Sequence, residues 1–128
     1  MKIILGGNDS ANRKAVENKS VDILMHPERG RAKDFMKSRN SGLNQVLCKL
    51  AFKNNVAIGF DFNYLLDAKE TLRPYILGRM KLNVTLCNKY KVKMYICNSC
   101  KNERGNSDLE AFGRILGMKK FEVKKFEY

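Results

Sequence analysis

The stretch VDILMHPERGR, Val21 to Arg31, sets the only histidine of the chain, His26, beside a carboxylate at Glu28 and arginines at Arg29 and Arg31. Residues of these types can build a metal site, an acid and base pair, or a surface that holds phosphates. A hydrolytic metal centre gathers several histidine and carboxylate ligands at strand ends. With His26 alone, Glu28, Asp61 and Asp67 could at most form a carboxylate-rich magnesium site. As a general base His26 needs a partner to set its tautomer, and the sequence shows none. No catalytic residue and no metal ligand is therefore assigned, and His26-Pro27 reads as the end of a strand where the chain turns. Neither G-x-G-x-x-G, a Walker A sequence nor G-x-S-x-G occurs. Gly6-Gly7 ahead of a helix can offer backbone N–H groups to an anion, although turn geometry alone also explains the pair.

Cationic loops are what remain. Arg29, Arg31, Lys33, Lys37 and Arg39 fall within eleven residues, and Lys101 and Arg104 occupy the corresponding loop after the fourth expected strand. Arginine forks suit phosphate oxygens and the backbone of folded RNA, and the scarcity of opposite charge favours binding over a merely solvated loop. Phe35 is the only aromatic residue in the first loop, which favours recognition of shape and backbone over splayed bases. The whole chain supports this reading: 25 Lys and Arg against 13 Asp and Glu give a formal charge of +12 in 128 residues. Such a field attracts polyanions, nucleic acid above all. No strong basic amphipathic helix suggests a membrane surface, and no apolar run nears the roughly 20 residues of a membrane span. MKIILGG is too short for a secretory signal, so the cytoplasm is expected. Cys48 and Cys87 fall in helical patterns as buried thiols. Cys97 and Cys100 form a lone C-x-x-C that cannot complete a zinc site and reads as two thiols at a strand end in a reducing cell.

The elements that must position these groups alternate along the chain. KIIL (Lys2 to Leu5), VDILM (Val21 to Met25), VAIGF (Val56 to Phe60) and VKMYIC (Val92 to Cys97) read as buried strands. Helices are expected at Ser10 to Asn18, capped by Asn8 or Asp9, and after Ser41-Gly42 with Leu43, Val46, Leu47, Leu50 and Ala51 inward. Another is expected from about Glu70 to Lys89, with Leu72, Ile76, Met80, Val84 and Cys87 buried and Arg73, Arg79, Lys81 and Lys89 off that stripe. A last helix has Ser107 and Glu110 as a capping box, Leu109, Phe112, Ile115 and Leu116 inward, and a stop at Gly117. About four strand-helix units imply the α/β class with a parallel sheet, either an open sheet or an arc of a (β/α) barrel, with functional loops at the strand C-terminal ends. Residues 1–118 read as a single domain. The basic tail, residues 119–128, reads either as an edge strand or as a loosely attached segment.

Taken in order, GGNDSANRKAVENKSVDILMHPERGRAKDF, SGLNQVLCKLAFKNNVAIGF, NKYKVKMYICNS and SDLEAFGRILGM make the chain similar to the ribonuclease P protein component 3 family, over about Gly6 to Met118. The resemblance implies a TIM-barrel-like fold and a role in tRNA processing in which the RNA subunit is the catalyst and the protein pairs with component 2. Its pattern falls on Asn12-Arg13-Lys14, Pro27-Glu28, Gly30-Arg31, Ser41-Gly42, Arg73 and Arg104. Against the family, the chain is N-terminally shortened and reads as a partial or half barrel. It also has a few extra residues between Phe35 and Arg39, and it has CNSCKN where the family has small residues.

Charge and resemblance together give the expected RNA-binding set: Arg13, Lys14, Arg29, Arg31, Lys33, Arg39, Arg73, Arg79, Lys101 and Arg104. The implied partners are ribonuclease P RNA, precursor tRNA, component 2, and a second copy or a separate N-terminal half that completes the barrel by covering a large apolar inner face. No cofactor is expected on the protein, magnesium belonging to the RNA. Two alternatives stand beside this function: a remnant of a barrel-fold metal-dependent hydrolase, and a non-catalytic RNA-binding or assembly module.

Overall fold

Short apolar runs followed by amphipathic helices give β1 (Ile3–Leu5), α1 (Asp9–Glu17), β2 (Ile23–Met25), α2 (Gln45–Asn54), β3 (Ala57–Phe60), α3 (Phe62–Asp67), α4 (Arg73–Tyr90), β4 (Met94–Asn98), α5 (Asn106–Leu116) and β5 (Glu122–Lys125). The computed structural model describes residues 1–31, 33–34, 36, 39–99 and 102–128. All strand pairings are parallel and the order across the sheet is β1-β2-β3-β4-β5. A sheet whose spatial order equals its chain order is wound in one direction, as in a (β/α) barrel, whereas a doubly wound sheet reverses at a switch point. The packing agrees. Ala15 and Val16 of α1, Leu47 and Ala51 of α2, Met80 and Val84 of α4, and Leu109 and Phe112 of α5 share one core with Leu24, Ile58 and Ile96 of the sheet. The helices thus lie over one sheet face. Leu24, Ile58 and Ile96 are fully buried there, each contributing roughly 1.5–3 kcal/mol.

The ends of the elements follow local chemistry. Asn8 accepts from the Ala11 amide at the start of α1, and Asn44 accepts from Leu47 at the start of α2. Pro74 falls in the first turn of α4, where its missing N–H is not needed. Gly117 ends α5 in the left-handed conformation. At the start of α5 the expected Ser107–Glu110 capping box gives way to Gly105, with no side-chain cap.

Burial departs from the sequence reading in instructive places. Val46 and Ile115, expected inward, are exposed because a helix lying on one sheet face buries a narrower stripe than its apolar spacing offers, and Leu72, also expected inward, is exposed because it precedes α4 as its N-cap. The short helix α3 follows β3 directly, capped by Asp61. The large exposed inner face is also corrected. Ile23, Met25, Ala57, Cys97 and Phe126 are buried together on the other side of the sheet, with Ile3 and Tyr95 partly covered. Met25 lies across Gly59, where a Cβ would collide with its sulfur. Leu5, on edge strand β1, stays exposed.

Candidate nucleic-acid interface

Parallel strands deliver every following loop to one end of the sheet. After β2 the chain turns at His26, whose φ of 52° is left-handed, and the Arg29 amide closes the turn on the His26 carbonyl at 3.0 Å. The loop then runs against the β1–α1 turn: Arg29 Nε donates to the Gly6 carbonyl at 3.0 Å. One buried amide holds this junction. Asn12 Oδ1 accepts from the Gly7 amide at 3.0 Å, while its Nδ2 donates to the carbonyls of Pro27 at 3.0 Å and Gly42 at 3.2 Å. At Gly42 (φ +85°) a Cβ would run into the Pro27 carbonyl, so close approach and backbone sign both demand glycine.

Helix α4 holds the loop from beneath. Arg79 Nε donates to Asp34 Oδ1 at 2.9 Å and Arg79 Nη1 to the Arg31 carbonyl at 2.9 Å, and Asn83 Nδ2 reaches the Ser41 carbonyl at 3.0 Å. Asp34 also accepts from Arg39 Nη1 at 3.0 Å and from the Asn40 amide at 2.9 Å. Burial works against the Asp34 charge, but the Asn40 amide and the Arg79 and Arg39 guanidiniums outweigh it and bring its pKa down to about 2. Arg31 donates to Asn40 Oδ1 at 3.0 Å and pairs with Asp9 at 2.8 Å. Gly7, Asn8, Asp9, Arg29, Arg31 and Asn40 surround a polar notch of about 520 Å³ at the N-terminus of α1, the exposed Asp9 carboxylate lying on its rim against Arg31. There two guanidiniums and the helix dipole favour an anion.

Across the strand ends the proton-transfer groups are tied to one another. The Tyr128 hydroxyl donates to Asp61 Oδ2 at 2.7 Å and lies 2.7 Å from His26 Nε2. Its one proton being given to Asp61, the phenol oxygen accepts from His26 Nε2–H. Burial first, then the Asp61 carboxylate, push the Tyr128 phenol pKa well above its usual value. Nδ1 of His26 faces Glu28 Oε1 at 3.6 Å, and the Tyr64 ring packs 4.2 Å from the imidazole. His26, Glu28 and Asp61 are all buried. Among the described residues no group of three His, Cys, Asp or Glu is placed to hold a metal ion. The partner for His26 that the sequence did not show is Tyr128, 102 residues away.

After β4 the chain is held by amides. Asn98 accepts from the Arg104 backbone amide at 3.0 Å and donates to its carbonyl at 2.9 Å, while Arg104 Nε donates to Asn63 Oδ1 at 2.7 Å. The Arg104 guanidinium also lies 5.3 Å from the centre of the Phe62 ring.

The expected binding residues therefore divide. Arg29 and Arg31 flank the notch, and Lys33 and Arg39 are exposed on the same loop. Arg79, expected off the buried stripe, is only 6% exposed; it braces the loop because Asp34 draws it inward. The scarcity of opposite charge is also corrected, since Asp34 and Asp9 both pair with arginines. Arg73 is half-buried, donating to the Leu66 and Ala68 carbonyls at the end of α3. Arg13 and Lys14 lie exposed on α1, Arg13 paired with Glu17. Lys101, with Lys37, Phe35 and Cys100, lies outside the described residues. Sequence reasoning marked the buried amide Asn12 only through the family pattern and did not assign roles to Asn63, Asn83 and Asn98. Their signal was present: uncharged polar residues on otherwise apolar helix faces and at a strand end.

A family model described as RNase P subunit p30 matches residues 3–126. The curated ribonuclease P protein component 3 of Methanosarcina mazei is 40% identical over 124 residues, 94% of this chain and 48% of that protein. The Thermococcus kodakarensis protein of the same name is 34% identical over 118 residues, 90% of this chain and 50% of that one. A chain in a cryo-EM structure of archaeal ribonuclease P with mature tRNA superposes with a TM-score of 0.77 at 34% identity, over 91% of this chain and 48% of that one. The chain thus spans about half the length of the curated relatives it matches.

Proposed function

The chain belongs to the RNase P subunit p30 family, and we propose that it is a protein subunit of ribonuclease P that supports RNA-catalysed 5′ maturation of precursor tRNA. The observation that carries this reading is the polar notch between Arg29 and Arg31 at the C-terminal end of the sheet, on a chain of net charge +12. Phosphates of the RNA backbone occupy the notch, and Lys33, Arg39, Arg104, Arg13, Lys14 and Lys101 extend the contact. Arg79 and Arg73 act indirectly, by fixing the loops they bind. The RNA supplies the catalytic groups and binds magnesium; the isolated chain, working in the cytoplasm and off membranes, cleaves nothing. Component 2 is its protein partner, and a second copy or a complementary half completes the barrel along the β1 edge, where Leu5 is exposed.

Reconstitution tests the reading. Adding the chain with component 2 to the cognate RNA should raise precursor tRNA cleavage, and Arg31→Ala should reduce that gain while the circular dichroism spectrum is unchanged. Magnesium-dependent cleavage by the repurified chain alone would instead favour the hydrolase reading. Sedimentation with and without a candidate second half would show whether the barrel is completed.

A further inference from the structure

A second cavity, of about 450 Å³, opens between the β2 loop and the α3–α4 junction. Its walls include the rings of Tyr64 and Tyr75 and the aliphatic side chains of Leu72 and Ile76, with Arg31, Arg79, Glu28 and Asp67 at its polar side. Two of these groups are unusual for a water-facing surface: Tyr75 is 51% exposed and Leu72 is 49% exposed. Tyr64 is steadied by the His26 ring at 4.2 Å, and the Arg39 guanidinium stands 6.0 Å from the Tyr75 ring centre. Gly30 and Arg31 line both this cavity and the polar notch, so the two are neighbours across one wall. Gly30 (φ +75°) has nothing within 4 Å of where a Cβ would stand, which leaves the wall between them low.

A polar anion notch joined to an aromatic and aliphatic cavity has the layout of a nucleotide, phosphate at one end and flat base at the other. Unpaired bases of folded RNA are typically splayed out and stacked on aromatic rings or guanidinium planes. We propose that this cavity receives one unstacked base of the bound RNA, the adjoining phosphate lying in the notch. The inference rests on the RNA-binding function proposed above and adds to it a preference for unpaired over paired RNA. The polar lining suits a base edge: Arg31 and Arg79 can donate to its ring nitrogens and carbonyls, while Glu28 and Asp67 can accept from its amino and imino groups, and the chain's +12 draws the attached backbone. Phe35 being the only aromatic of the loop itself, the sequence favoured backbone recognition alone; the rings come instead from α3 and α4, brought alongside by the fold.

The probe is a pair of RNA hairpins with the same stem, one fully paired and one carrying a single bulged 2-aminopurine, titrated with the full chain. The bulged hairpin should bind about tenfold more tightly, the scale of one base stacked on an aromatic ring, with a change in 2-aminopurine fluorescence. Tyr75→Ala should bring the bulged hairpin to the affinity of the paired one, Tyr75→Phe should restore the difference, and thermal melting should be the same for both variants. Equal binding of the two hairpins by the unmodified chain, with steep salt dependence, would overturn the base pocket while leaving the RNA-binding function standing. Absence of binding to either hairpin at low salt would overturn both. Loss of component 2 binding in Tyr75→Ala, with RNA discrimination intact, would make the cavity a protein-docking site and the proposal wrong.

Discussion

Two arginine-bearing loops leave the same end of the sheet, and they are anchored by different chemistry. After β2 the amides of Asn12 and Asn83 hold the backbone, but carboxylates hold the arginine side chains: Asp34 takes Arg39 and Arg79, and Asp9 takes Arg31. After β4 amides do it: Asn63 accepts from the Arg104 side chain and Asn98 ties its backbone. A carboxylate offsets the charge of the guanidinium it positions, whereas an amide orients it and leaves the charge whole. The first loop gathers more cations but presents only part of their charge; Arg104, held by amides, keeps its charge whole. The first should therefore respond to acid and to loss of Arg79, and the anchorage of Arg104 to neither.

The largest effect that would break this contrast comes from Arg79→Met. Removing the guanidinium leaves the Arg31 carbonyl without its donor and Asp34 with only Arg39 and the Asn40 amide. Urea unfolding should show a loss of about 2 kcal/mol, the scale of losing hydrogen bonds to a charged group, and hydrogen exchange should localise it to the β2–α2 loop. Acid comes next. Because the folded pKa of Asp34 is depressed to about 2, its contribution is complete above the unfolded carboxylate value of about 4 and is lost as pH falls from there toward the folded value. NMR between pH 5 and 2 should show the Asn40 amide losing protection while the Arg104 amide, bound to Asn98, keeps it. Similar loss at both would end the contrast. Arg104→Ala should cost about 1 kcal/mol of stability, the worth of one hydrogen bond between neutral and charged groups near the surface, and lower reconstituted cleavage at low protein concentration. The smallest effect is that of Lys33→Ala, exposed on the first loop. Filter binding at several salt concentrations should show the slope of log K against log salt shallower by about one unit, with folding unchanged.

The repeated strand-helix pattern, a cap at Asn8 or Asp9 and the Gly117 stop were legible because each is decided within a few residues, whereas the demand for glycine at Gly42 comes from Pro27, fifteen residues away. Choosing between a barrel arc and a doubly wound sheet was not, since strand order is a matter of which neighbours pair. Helix α3 escaped because six residues carry too little of a 3.6-residue repeat to register beside β3. Arg79 was misplaced by treating charge as a reason for exposure. Yet Arg79 and Asn83 stand four apart beside the apolar line of Ile76, Met80, Val84 and Cys87, a polar flank that announces a loop needing to be held. Tyr128 could not be paired with His26 from sequence at all, for their meeting depends on β5 running parallel to β4 so that both side chains arrive at the same sheet end.

The sequential strand order also governs how the molecule comes apart. Each strand pairs with the strands before and after it in the chain, and α1 packs on α2, α2 on α4 and α4 on α5. Cooperativity in such an array passes from neighbour to neighbour, as along a row of stacked repeats, so fraying can begin at either end and travel inward. The Tyr128 hydroxyl departs from that rule by reaching over two strands to His26 while gripping Asp61 on the way. It works as a clasp that ties the last strand to the second, and it converts a zipper with two loose ends into one whose C-terminal end cannot open without loosening the floor beneath the arginine loop.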